Sequence, residues 1–393
     1  MRKKNLIFLF LFVMASFPVE AKLKATILPG AFQTDLYFPL IRNKVIGVVA
    51  NQTSILGTRH LVDTLKASGF NIKCVFAPEH GFRGDKAAGE TVQSGVDSIT
   101  GLPVISLYGK HLAPDSSDLN GIDVMLFDIQ DVGVRFYTYI STLQLVMEAC
   151  AEHNIPLILL DRPNPNGFYV DGPVLERKFS SFVGLQPVPV VYGMTLGEYA
   201  KMLIGEKWLR TRKKCDLMIV PVKNYYHSSK YQLPIPPSPN LPDMEAVYLY
   251  PSLCFFEGTA ISLGRGTEKP FRIIGFPGNQ RDSFSFTPLS IPGVALHPPY
   301  QDTTCTGIDL SDQAGEIIKE PRIRLTWLID MYSIFPAKES FFNNFFDQLA
   351  GTQKLRTQLV ENKSEEEIRK SWEPGIKKFK EIRKKYVYYI DFE

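Results

Sequence analysis

Between residues 44 and 160, short apolar runs alternate with polar rims and amphipathic stretches, the repeating order of βαβ units. The runs at 44–50, 72–76, 103–107, 122–129 and 155–160 are short and bounded by turn formers, and they read as five strands. Helices are expected over 59–68 and 138–153, the second with Leu143, Val146, Met147 and Cys150 at helical spacing. This order predicts an α/β fold with a Rossmann-like, doubly wound, largely parallel sheet. Polar residues stand at or just past each strand end: Asn51 and Gln52, Glu79 and His80, Tyr108, Asp128, Gln130 and Asp131, then Asp161, Arg162 and Asn164. In a parallel sheet these exits share one edge, so scattered positions are expected to converge on one crevice.

Further along, the run LPIPPSPNLP at 233–242 is stiff and extended, unsuited to a helix or an inner strand, and reads as a domain connection. It separates an α/β domain over 22–235 from a smaller α+β domain over 243–393. A long glycine-punctuated loop follows at 257–270, carrying Glu257, Arg265 and Glu268. The tail over 364–388 is helical in pattern, with Ile368, Trp372 and Phe379 on its apolar side, and Pro374 and Gly375 are expected to break it in two. Its lysines read as a solvated helix face.

With 393 residues, 45% of them hydrophobic, the chain can bury more core than one ordinary domain needs. The formal charge of +3 from 44 basic and 41 acidic side chains gives no field that argues for nucleic acid. A neutral or modestly anionic small molecule fits better. Arg2-Lys-Lys4, an apolar stretch over 6–17 and Val19-Glu20-Ala21 have the form of a cleaved signal peptide over 1–21, implying secretion, here to the periplasm. The competing reading, an uncleaved anchor, meets a stretch too short to span a bilayer comfortably. No later segment has a spanning length, so no stable membrane insertion is expected after cleavage. Five widely spaced cysteines make neither a disulfide framework nor a zinc pattern and read as buried thiols.

The densest chemistry is APEHGFRG at 77–84. Pro78 stops the strand and Gly81 and Gly84 allow tight turning, so Glu79 is held on a rim, where a carboxylic acid can act as a proton donor. The structural alternative is a glutamate bonded to backbone amides or to Arg83. His80 would orient it or pack beside it. The segment 127–139 mixes Asp128, Gln130, Asp131 and Arg135 with aromatic residues including Tyr137, the composition of a sugar site. Asp128 or Asp131 could equally cap the next helix. Arg162 and Asn164 close the fifth strand among turn formers, and Glu257, Arg265 and Glu268 are candidates for reaching back across an interdomain cleft, with surface ion pairing as the alternative. No glycine fingerprint for a dinucleotide follows the first strand, no histidines stand at zinc-ligand spacing and there is no GxSxG elbow. No cofactor or metal is implied.

GVVANQTS, FAPEHGFRGDKAAGE, SLYG, FDIQDVGVRFYTYI, LDRPNPNG, SFVGLQPVPVVYGMTLGE, PSPNLP and EGTAISLGRGTEKPF, in this order from about Val45 to Tyr386, resemble the NamZ-type exo-β-N-acetylmuramidases, bacterial cell-wall glycosidases. The resemblance implies a Rossmann-like domain with a smaller second domain, and release of terminal β-linked N-acetylmuramic acid from the non-reducing end of peptidoglycan fragments. It places the family's catalytic glutamate on Glu79 and leaves Asp128, Asp131 and Glu257 as candidates for a second catalytic group. Arg83, Arg135 or Arg265 could hold the lactyl carboxylate, with Asn51, His80, Gln130, Tyr137, Arg162 and Asn164 as further sugar contacts. The alternative function is a non-catalytic wall-sugar binder, and a third is a hydrolase acting on an amide or ester of the wall. Oligomeric state is left open.

Overall fold

A computed structural model of the chain describes residues 25–84 and 94–393, so the expected signal segment and the DKAAGE half of the second motif lie outside the described residues. The main sheet is built from β1 (Val45–Ala50), β2 (Asn71–Ala77), β3 (Gly95–Val96), β4 (Pro103–Ser106), β5 (Val124–Asp128), β6 (Leu157–Leu160) and β7 (Leu217–Val220). Its order is β3-β4-β2-β1-β5-β6-β7. All pairings are parallel except β3 with β4. The five expected strands are present within a residue or two of their ends. The sixth parallel strand, β7, has no counterpart among the expected five; it is an edge strand in which Val220 alone is buried.

Strand periodicity explains why the sheet is covered twice. In β5, Met125 and Phe127 join one core cluster while Val124 and Leu126 join another, and β6 divides Leu157 and Leu159 from Ile158 and Leu160 in the same way. Successive side chains of a strand point to opposite faces, so a continuous apolar run needs two apolar partners. Helix α1 (Leu61–Ala67) covers one face with Leu61, Val62 and Leu65, and α2 (Tyr139–Glu152) covers the other with Leu143, Val146, Met147 and Cys150.

The second face does not stop at α2. Its cluster runs on into α3 (Met244–Leu253) and the C-terminal region, taking in Leu249, Phe255, Phe271, Leu328 and Trp372. There a three-stranded antiparallel sheet, β8 (Ile273–Phe276), β9 (Phe284–Phe286) and β10 (Cys305–Asp309), runs in the order β8-β10-β9. The expected break at Pro374 does not occur: α4 runs unbroken over Glu365–Arg383. Proline costs one helical hydrogen bond and crowds the preceding turn, but this helix is held from outside. Ile368, Trp372 and Phe379 are buried, Arg369 pairs with Asp171 at 2.9 Å, and Arg383 donates to the Gly193 carbonyl and to Asp391. All five cysteines are buried free thiols. Among the described residues no helix is long and apolar enough to cross a membrane.

Candidate active site

Parallel register brings the exits of β1 and β5 level, Ala50 beside Asp128, and those of β2 and β4 level, Ala77 beside Ser106. Past Ala77 the chain turns sharply, with the Gly81 amide donating to the Pro78 carbonyl at 3.1 Å. Gly81 has φ 77° and His80 φ 72°, a left-handed conformation that costs a non-glycine residue free energy and is often kept at functional sites. This turn sets Glu79 and His80 at the mouth of a cleft of about 510 Å³. The opposite wall comes from the C-terminal region, with Glu257, Arg265 and Phe271, and from the loop carrying Val294 to Pro298. Tyr108, Phe136, Tyr137 and Tyr250 line the cleft between the two walls.

Behind Glu79 the start of α2 forms a polar and aromatic backing. Thr138 donates to the Glu79 carboxylate at 3.4 Å, and Tyr139 accepts from the Asn51 amide at 2.8 Å. Burial, reinforced by the Glu79 carboxylate, raises the Tyr139 phenol well above its ordinary range, so it stays protonated. Tyr137 donates to the Pro237 carbonyl at 2.8 Å and packs edge-on against Tyr139 and Tyr250. The proline-rich run is therefore part of the site: Ser238, Asn240 and Leu241 line the cleft, and Gln52 donates to the Pro237 carbonyl at 3.0 Å.

Most of the other candidates are buried and are not among the residues lining the cleft. Asp128 is fully buried and bound through both carboxylate oxygens to Arg162, at 2.6 and 2.8 Å. The two side chains are turned to each other, and neither is among the residues lining the cleft. Asn51 ties its own turn together through Thr53, while Gln130 donates to the Asp131 and Pro163 carbonyls. Asn164 donates to the Met194 carbonyl and accepts from the Asn166 amide. Arg135, also fully buried, donates from its two terminal nitrogens to the carbonyls of Pro173, Val188 and Leu349, stitching the two regions together. Arg83 is held between Asp63 and Asp97, each at 2.8 Å, and is absent from the cleft lining. Arg83, Asp128 and Arg162 are held in ion pairs; for Asn51, Gln130 and Asn164 the physical reason is a shared one. Backbone groups beyond the last strand pairing need partners, and short polar side chains at the exits supply them.

Asp131 is buried in the same layer, accepting from the Gly133 amide at 2.7 Å and from the Tyr192 hydroxyl. Burial pushes its carboxyl up to about 7, against those two hydrogen bonds, which pull the other way. A folded-state value above the unfolded one of about 4 means that the native protein binds the extra proton between those limits. Stability should therefore fall as pH rises from about 4 to about 7, by up to a few kcal/mol from this group. Urea unfolding across that range should show a flatter pH dependence in Asp131→Asn than in the wild type; identical slopes would remove Asp131 as the source.

Among the described residues, His111, Asp115 and Asp118 bring possible metal-ligand atoms within 4.8 Å of one another. Asp115 and Asp118 form the capping box of the short helix Ser116–Leu119, and His111 pairs with Asp118 at 2.8 Å, so local structure accounts for the group. None of the three lines the cleft.

The fold and site together define a class: an α/β protein whose sheet edge is roofed by a smaller C-terminal domain, with a carboxylate-bearing, aromatic-walled cleft between them. Residues 46–245 match the family described as "Exo-beta-N-acetylmuramidase NamZ, N-terminal" and residues 248–389 its C-terminal counterpart. The chain is 37% identical over 371 residues to the peptidoglycan β-N-acetylmuramidase NamZ of Bacillus subtilis (strain 168), covering 90% of this chain and 89% of that one. It resembles two solved DUF1343 family proteins of Bacteroides fragilis NCTC 9343. One has 46% identity and a TM-score of 0.86, covering 93% of this chain and 100% of that one. The other has 28% identity and a TM-score of 0.79, with 92% and 99% coverage. The chain belongs to the NamZ exo-β-N-acetylmuramidase family.

Proposed function

We propose that this protein is an exo-acting glycosidase that releases terminal β-linked N-acetylmuramic acid from the non-reducing end of peptidoglycan fragments, with Glu79 as general acid and base. The observation that carries the reading is the place of Glu79: a carboxyl group on a strained strand exit, opening into an aromatic-walled cleft. Cleaving a glycosidic bond requires protonation of the departing oxygen and activation of the incoming water, and one carboxyl group performs both in turn when a second carboxylate or the sugar's own acetamido group holds the anomeric carbon between the two steps. Flat aromatic faces suit the apolar side of a sugar ring, while polar groups between them bond its hydroxyls. Family membership supports the choice of bond and sugar.

Among the described residues, Glu79 and Glu257 are the two acids lining the cleft. The Glu257 carboxylate is engaged by Arg265, which favours a recognition role for it over direct attack on the sugar. We assign residues 22–235 to the domain bearing Glu79 and 243–393 to the one that completes the cleft. The charged start, apolar stretch and small-residue site of the first 21 positions support export, and we place the enzyme in the periplasm.

Incubating the mature protein with a β-linked muramic acid disaccharide, or a chromogenic muramide, and following free sugar tests the reading. Release of N-acetylmuramic acid from the non-reducing end is expected. Binding without turnover would replace the enzyme by a wall-sugar binder, and release of an amide or ester fragment would replace it by another hydrolase.

A further inference from the structure

Arg265 is presented to the cleft by an unusually constrained piece of chain. It sits between Gly264, φ 70°, and Gly266, φ 80°. A Cβ on Gly266 would stand 2.3 Å from the Leu289 carbonyl oxygen, and one on Gly264 would stand 2.4 Å from the Ile273 side chain. Neither position tolerates a side chain, so the turn is fixed by contact on both sides of the arginine. The guanidinium then lies over the Phe271 ring, 5.0 Å from its centroid, and donates through one terminal nitrogen to Glu257. Phe271 is itself a non-glycine residue with φ 55°, buried and packed edge-on against Tyr250 at 5.1 Å. Strain at a buried aromatic residue under a charged group is a cost the rest of the fold sustains, and such outliers concentrate where a ligand is held.

Among the described residues, Arg265 is the sole arginine or lysine in the cleft lining. The other two arginines that could have met an anion are occupied elsewhere, Arg83 by two aspartates and Arg135 by three carbonyls. Glu257 is the only acceptor for the Arg265 guanidinium among the described residues, and it uses one of the fork's edges. The guanidinium keeps N–H donors for a second carboxylate.

We propose that Arg265, positioned by Glu257 and Phe271, receives the lactyl carboxylate of the terminal sugar and makes the site select N-acetylmuramic acid over N-acetylglucosamine. This rests on the glycosidase reading for the identity of the sugar. Its physical core is narrower: the cleft holds a receptor for a sugar-borne carboxylate. A bidentate, charge-assisted contact of this kind discriminates sharply, because the analogue without the carboxylate leaves the guanidinium's donors unmet. Glu257 acts here through Arg265 as a positioning residue. Its negative charge also keeps the vacant site from holding an uncompensated cation.

Binding distinguishes this from the glycosidase reading, because it requires no turnover. N-Acetylmuramic acid and its lactyl methyl ester are titrated calorimetrically into the wild type, Arg265→Met, Arg265→Lys and the double variant Arg265→Met/Glu257→Gln, with circular dichroism to verify folding. The wild type should prefer the acid by about 10- to 100-fold, in line with a charge-assisted hydrogen-bonded pair. Arg265→Met should reverse the preference, since Glu257 then faces the ligand carboxylate without its partner. The double variant should show no preference, and Arg265→Lys should restore part of it as a point charge without the fork. Equal binding of acid and ester by the wild type, or an acid preference that survives Arg265→Met, overturns the proposal. Acid preference without hydrolysis of any muramide would leave the receptor standing and remove the glycosidase instead.

Discussion

Glu79→Gln should abolish nearly all turnover of a β-linked muramide while leaving the protein folded and able to bind. Glutamine keeps the size and hydrogen-bonding character of the side chain, including an oxygen to accept from Thr138, but it cannot deliver or take up a proton. Loss of a positioned general acid and base costs about 10²–10⁴-fold in rate. The loss should fall on kcat, with KM changed little, because the missing interaction belongs to the transition state and not to the bound ground state. A substrate whose leaving group departs as a stable phenolate needs less protonation, so the variant should lose less on a nitrophenyl muramide than on a disaccharide. Unfolding curves should overlay within about 1 kcal/mol, since the residue is half-buried on a rim and not part of either core. Full activity in Glu79→Gln would remove the residue from the chemistry; equal losses on both leaving groups would remove it from the acid step.

The α/β architecture was legible because apolar runs bounded by turn formers can be counted without knowing their partners, and because chain order sets parallel pairing. Glu79 and His80 were legible for a related reason: proline followed by two glycines marks where a strand must stop and turn. The remaining exits carry the same signal. Gln130 and Asn164 stand at strand ends as Glu79 does, yet their bonded polar atoms meet carbonyls or their own turn, and Asn51 divides its side chain between its own turn and the Tyr139 hydroxyl. Composition does not reveal whether an exit side chain faces the crevice or the loop beside it.

Several groups that do face the cleft had no local signal. Phe182, Tyr250, Asn240 and His297 come from a loop, a helix, a proline-rich run and another loop, brought together by tertiary packing alone. The run at 233–242 shows how the same chemistry reads two ways. Prolines stiffen a connection between domains, and the same stiffness holds bare carbonyls in place for Gln52 and Tyr137 to bond. The Pro374 helix shows the converse, a strong local signal overruled by an anchored apolar face.

Asp128→Ala should destabilise the protein by about 3–5 kcal/mol, because it strands the Arg162 guanidinium in the interior without its counter-charge. Arg162 is 4% exposed and Asp128 fully buried, so water cannot repair the loss. The remaining Arg162 contact, to the Ile55 carbonyl at 3.3 Å, is too long to compensate. The pair seals the level at which β1 and β5 end, where Ser54 also bonds the Asp128 carbonyl. Replacing both partners with apolar residues of similar volume, as in Asp128→Leu/Arg162→Met, removes the stranded charge and should recover most of the lost stability. The double variant also separates scaffold from chemistry. If Asp128 only holds the sheet edge, the folded fraction should hydrolyse a muramide within a few-fold of the wild-type kcat, whereas a catalytic carboxylate could not be exchanged for leucine without a loss like that of Glu79→Gln. Guanidinium unfolding, with kcat corrected for the folded fraction, reads both quantities on one preparation. A stable double variant with kcat reduced by 10²-fold or more would return Asp128 to the reaction.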